Sequence, residues 1–130
     1  MEKLFKIHLY YAMISIVLLI LIAYVSLLPG QEIPKLGIKN IDKLVHAFMY
    51  FILSSFMLLG FGNLKHSSIF VKSIPILMSL FCSFLIELLQ EYTTSSRLFE
   101  INDILANGIG CLIAFFVMKK QIFNKIKYNI

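Results

Sequence analysis

The sequence predicts an all-α fold: a four-helix transmembrane bundle with its N and C termini in the cytoplasm. Three observations predict it. The 130-residue chain is 59% hydrophobic and only 15% charged, with a mean hydropathy of +0.86. A water-soluble domain of that composition would expose more apolar surface than water tolerates. The chain also holds four apolar runs, each about 18 to 22 residues long, the length that crosses a bilayer as a helix. Finally, its basic residues are dense and sparse by turns in the segments between those runs.

The first run, residues 7–28, is closed by Pro29-Gly30, a strong turn signal. It is too long for a signal-peptide core and no small-residue cleavage site follows, so it reads as a retained span. The second, residues 44–61, is punctuated by Gly60 to Asn63. The third, residues 71–89, has Pro75 near its start, where a missing N–H matters least. The fourth, residues 101–118, repeats Ala106, Gly110 and Ala114 at four-residue spacing, a small-xxx-small face suited to close helix packing. Residues 1–130 read as a single domain, without repeats, lipidation motif or appended soluble enzyme. Cys82 and Cys111 lie mid-helix and read as small buried side chains; similar depth leaves a bridge between them open.

Four spans place both termini and the second loop on one side of the membrane. That side carries Lys3, Lys6, Lys65, Lys72, Lys119, Lys120, Lys125 and Lys127, against Lys35, Lys39, Lys43 and Arg97 on the other. Eight against four in short loops puts the termini in the cytoplasm. The net charge of +5 therefore reads as a topology signal and an attraction to anionic lipid. It does not read as nucleic-acid binding, since no base-stacking aromatic surface accompanies the lysines. Tyr10, Tyr11, Tyr24 and Tyr92 suit interfacial positions, and His8 and His66 read as solvated on the cytoplasmic side.

The acidic residues sort the other way. Glu2 alone falls on the cytoplasmic side, whereas Glu32, Asp42, Glu87, Glu91, Glu100 and Asp103 fall at or near the outer side. Side chains three, four or seven apart share a helix face. Three stripes result: Asp42, His46, Tyr50 and Ser54 on the second helix; Ser79, Ser83, Glu87 and Gln90 on the third; Asp103, Asn107, Gly110 and Ala114 on the fourth. At about 1.5 Å per residue, their polar members reach a common depth near the outer headgroup boundary. An ionised Asp at a helix centre costs about 2.5 to 3.5 kcal/mol on insertion scales. Facing a shared polar hollow offsets that cost and facing lipid does not. Asp103 and Asn107 thus read as one wall of a polar cup beneath the loop that carries Arg97.

Asp42-Lys43 with His46 and Tyr50, Glu87 with Gln90, then Arg97, Asp103, Asn107 and Gly110 together resemble the VanZ-like membrane protein family. The resemblance covers residues 42 to about 115. It rests on the order of these residues and on their placement at matching helix ends. Ala47 stands where the family often has Phe, and Ala114 where a second Gly is common; both touch packing more than chemistry. The resemblance implies a small multi-pass protein of the bacterial cell membrane, with an association with resistance to the glycopeptide teicoplanin.

Three functions fit the cup. The first is binding of a lipid or lipid-linked cell-wall precursor from the outer leaflet, or of a glycopeptide. Arg97 and Lys43 would pair with phosphate or carboxylate, with Asp42, Tyr50, Gln90 and Asn107 completing the ligand-binding set. The second is catalysis, a hydrolase or transferase acting on a lipid-linked substrate through His46, Glu87 and Asp103. Imidazoles suit general acid–base work, although neither G-x-S-x-G nor H-E-x-x-H occurs. A divalent metal on His46, Glu87 and Asp103 is a weaker variant, one nitrogen and two oxygens drawn from three helices; it is not favoured, and the sequence names no other cofactor. The third is structural, in which Arg97 with Glu100 or Asp103, and His46 with Glu87, only pin the helices. No dimer motif fixes an oligomeric state.

Overall fold

The computed structural model describes residues 2–30, 37–61 and 68–124. They form four helices, α1 Glu2–Ser26, α2 Ile41–Phe61, α3 Ile69–Thr93 and α4 Ile101–Asn124, with no strand among the described residues. All four are long and apolar enough to span a membrane. Glu32, Lys35, Asn63, Lys65, His66, Lys125 and Lys127 lie outside the described residues.

The helices outrun the apolar stretches that announced them. α2 begins three residues early, because Asp42 belongs to its first turn, where a carboxylate complements the helix dipole. Just before it, Asn40 takes φ 61°, a left-handed conformation that its short amide side chain tolerates. α3 begins at Ile69, capped by Ser68, whose side chain accepts from Val71 N. This makes Pro75 the seventh helical residue and corrects its expected place at the helix start. Its missing N–H leaves the Val71 carbonyl without the usual helical donor. α1 stops at Ser26, two residues before the expected end. Leu27 N and Leu28 N still bond back to Ala23 O and Val25 O at 3.0 and 3.3 Å, and Pro29 cannot continue the ladder.

α2 packs against all three other helices and most extensively against α4, while α1 and α4 do not pack together among the described residues. Two glycines set the closest approaches. A Cβ on Gly110 would overlap the Ala47 carbonyl oxygen, so α2 and α4 cross nearly backbone to backbone. Ala106 and Ala114 are buried on the same face of α4, as the four-residue repeat predicts. α2 ends at Phe61, as the punctuation beginning at Gly60 predicts. A Cβ on Gly60 would come within 2.7 Å of Ala12 N, so this glycine also serves the contact with α1.

Leu53, Met57, Leu58, Ile76 and Ile86 form the apolar core with Ile22. Phe48, Phe81, Phe116, Val17 and Ile20 face outward, each more than half exposed, as acyl chains rather than water would permit. Tyr10, Tyr24 and Tyr92 are exposed and Tyr11 is partly buried. His8 corrects its expectation: it is partly buried, its Nδ1 2.8 Å from Leu59 O, tying the start of α1 to the end of α2. At the opposite end of the bundle, the start of α2 meets the start of α4 and the end of α3.

Candidate functional site

The three stripes turn inward together. His46, Tyr50 and Ser54 of α2, Ser79, Ser83, Glu87 and Gln90 of α3, and Asp103 and Asn107 of α4 are all buried. One ligand atom from each of His46, Glu87 and Asp103 lies within 4.8 Å of the other two. His46 Nδ1 stands 3.8 Å from Glu87 Oε1 and 3.1 Å from Asn107 Oδ1. Asn107 is fixed in turn by donating from Nδ2 to Ser83 Oγ at 2.7 Å. Three helices thus position one imidazole between an amide and a carboxylate.

Above this inner group sits an ionic ring. Lys43 Nζ donates to Asp42 Oδ2 at 2.8 Å and to Glu100 Oε2 at 2.6 Å. It also forms an ion pair with Asp103 Oδ1 at 2.7 Å. Asp42 and Glu100 are about half exposed here and Asp103 is not, so the ring closes the mouth of the inner group. Asp103 belongs to both layers.

Arg97 is placed differently. Its Nη1 donates to Ser26 O at 3.0 Å, and no ion pair joins it to Glu100 or Asp103 among the described residues. Lys43 holds those carboxylates instead, which corrects the pairing expected of a structural role. Gln90 Nε2 donates to the same carbonyl at 2.8 Å, and Gly30 N donates to Ser96 Oγ at 3.0 Å. The orphan carbonyl at a helix C-terminus needs such donors. A backbone acceptor leaves no mark in sequence, so Ser26 could not be anticipated.

Two further buried polar features lie away from the cup. Ser54 Oγ donates to Ser79 Oγ at 2.9 Å and to Cys111 Sγ at 3.1 Å. Cys82 and Cys111 are both free thiols, which settles the open bridge. Lys72, counted with the loop charges from sequence, is 3% exposed within α3.

Three polar atoms bear directly on chemistry. Glu87 Oε2, the Tyr50 hydroxyl and Asp103 Oδ1 are buried without a hydrogen-bond partner, Asp103 Oδ1 being met by the Lys43 ion pair, and Glu87 is 1% exposed. A buried acceptor left unpaired is costly, and a carboxylate at membrane depth more so. The site is acidic as a whole: Asp42, Glu100 and Asp103 share a single lysine, Glu87 lies beside His46, and Arg97 is held at the Ser26 carbonyl. It is built to accept hydrogen bonds or positive charge.

Residues 5–124 match the family model VanZ/LLP1. The match takes in α1, beyond the motif residues that carry the resemblance in sequence. No curated protein and no solved structure matches the chain significantly. The chain belongs to the VanZ/LLP1 family.

Proposed function

We propose that this membrane protein binds the polar headgroup of a lipid or lipid-linked cell-envelope component in the acidic cup, from the extracytoplasmic side. The observation that carries the reading is the buried, unpaired Glu87 Oε2 beside His46. Ionised carboxylates only accept hydrogen bonds, so the favoured headgroup is rich in donors: an amine, sugar hydroxyls or amide N–H groups. Direct capture of phosphate by Lys43 is disfavoured, because three carboxylates already hold that ammonium. An effect on teicoplanin susceptibility would follow if the ligand is a cell-wall precursor, through its availability at the outer leaflet.

Native mass spectrometry in nanodiscs of mixed phosphatidylethanolamine and phosphatidylglycerol tests the headgroup chemistry. The donor-bearing ethanolamine lipid is expected to be retained preferentially, and Glu87→Gln to abolish the preference. Indifference of the wild-type protein to the headgroup would sink the reading. Sidedness rests on the lysine distribution. An impermeant maleimide should label K35C in intact cells, and labelling only after lysis would invert the topology.

A second reading, acid–base catalysis on a lipid-linked substrate, draws on the proximity of His46 and Glu87. Product formed from a purified lipid-linked saccharide would favour it over binding; retention of unchanged saccharide would favour binding.

A further inference from the structure

The geometry points to a divalent cation site at the base of the cup, with His46, Glu87 and Asp103 as its protein ligands and a transition ion such as zinc as the occupant. The inference starts from the same Glu87 oxygen as the headgroup reading but assigns it a different occupant, an ion that can bind with or without a lipid above it.

Two clusters of potential ligands exist here, and their differences decide between them. Asp42, Glu100 and Asp103 also bring ligand atoms within 4.8 Å of one another. That outer cluster already contains a cation, the Lys43 ammonium, 2.6 to 2.8 Å from an oxygen of each carboxylate. The inner cluster meets that cation only through Asp103. His46 is its only basic member, and Glu87 Oε2 is left with no hydrogen-bond donor although Glu87 is 1% exposed. The orphaned oxygen is the sign that an occupant belongs there.

The donor set fits the ion. One imidazole nitrogen and two carboxylate oxygens form a three-ligand set that leaves a coordination position open, as non-structural zinc sites do. Bond lengths of about 2.0 to 2.2 Å place tetrahedral donors about 3.4 Å apart, so the 4.8 Å cluster need contract only by side-chain rotation. Histidine ligands are characteristically held by an outer partner at the other ring position. Asn107, itself anchored on Ser83, holds His46 Nδ1, the nitrogen that also lies 3.8 Å from Glu87 Oε1, which leaves Nε2 as the nitrogen that would bind the ion. A bound ion would share the Asp103 carboxylate with Lys43, coupling the inner site to the ionic ring at the mouth. Its open position would face an incoming headgroup and accept an anionic oxygen that the carboxylates alone would repel.

The test uses the full chain purified in detergent, stripped with chelator, then loaded with Zn²⁺ or Co²⁺ and freed of excess ion by gel filtration. About one ion per chain is expected, with Co²⁺ giving the visible absorption of a low-symmetry nitrogen–oxygen site. Glu87→Gln, which keeps side-chain shape, should weaken binding at least tenfold, in the range seen when metal-site residues are altered. Glu100→Gln, which belongs to the outer cluster alone, should retain the ion. A folded wild-type protein that holds less than about a tenth of an equivalent would overturn the site, and so would Glu87→Gln binding as tightly as wild type. Loss in Glu100→Gln with retention in Glu87→Gln would overturn it equally, by moving the ion to the outer cluster. Metal retention and headgroup preference are read separately, so either proposal can fail alone.

Discussion

Asn107 holds His46 in place: its Oδ1 lies 3.1 Å from His46 Nδ1, and its Nδ2 reaches Ser83 Oγ at 2.7 Å. An amide oxygen cannot donate, so Nδ1 carries the proton. One asparagine therefore sets a tautomer on α2 from an anchor on α3. Asn107→Leu keeps the bulk and removes both contacts. Buried partners left unpaired cost about 1 to 3 kcal/mol, whereas polar contacts between membrane helices average about 0.6 kcal/mol. A loss of about 1 to 2 kcal/mol is expected in detergent unfolding, with headgroup and metal retention lost as well. Unchanged retention would mean that the orientation of His46 does not matter to the site.

Gly110 and Gly108 lie on the same helix and predict opposite outcomes. A Cβ at Gly110 would overlap the Ala47 backbone, whereas at Gly108 it meets only Leu80 Cδ2 at 3.7 Å. Helical Gly→Ala is otherwise favourable by about 0.5 to 1 kcal/mol. Gly108→Ala should hold or raise the unfolding temperature. Gly110→Ala should lower it by separating α2 from α4, and by widening the gap between Lys43 and Asp103 it should disturb the ionic ring. Equal tolerance at the two glycines would mean that the α2–α4 contact yields easily.

Much of this was legible in sequence because hydropathy and helical spacing are one-dimensional signals. The four spans, the inward stripes and the Ala106–Gly110–Ala114 face follow from periodicity alone. Helix ends were less legible: Asp42 and Gln90 are polar, so an apolar run stops before the helix does. Partner choice was illegible where several partners were equally plausible. Arg97 had Glu100 and Asp103 within sequence reach, yet it bonds to the carbonyl of Ser26 on α1. Only the three-dimensional approach of α1 to α3 could reveal that, because the acceptor is main chain. Gly60 marks the end of α2 in sequence, but its contact with Ala12 is illegible there because that neighbour lies on another helix.

The shared acceptor at Ser26 makes a prediction about α1. Gln90 Nε2 and Arg97 Nη1 both converge on its carbonyl, so two side chains hold the last turn of α1 against α3. Ser26→Ala should change little, since the acceptor is main chain. Gln90→Leu combined with Arg97→Met should speed amide hydrogen exchange in the last turn of α1 by an order of magnitude or more. That corresponds to about 1.4 kcal/mol or more of local opening free energy. Protection that survives both changes would assign the docking of α1 to its apolar face.

Glu87 offers the sharpest separation of function from packing. A carboxylate kept for structure is paired, and removing it leaves its partner stranded, at a cost of about 3 to 5 kcal/mol when a buried ion pair is broken. Glu87 Oε2 has no partner, and its nearest ionic contact is His46 Nδ1 at 3.8 Å from Oε1. Glu87→Gln should therefore leave detergent stability unchanged or raise it, while abolishing headgroup preference. Asp103→Asn is the contrast, because it takes one of three carboxylates from Lys43. Asp42 and Glu100 remain to hold the ammonium, so its loss should be modest, about 1 kcal/mol for a partly exposed pair. Thermal unfolding of the two variants beside wild type decides the point. A large destabilisation in Glu87→Gln would mean that this carboxylate is part of the bundle's packing, and binding at the cup would lose its principal support.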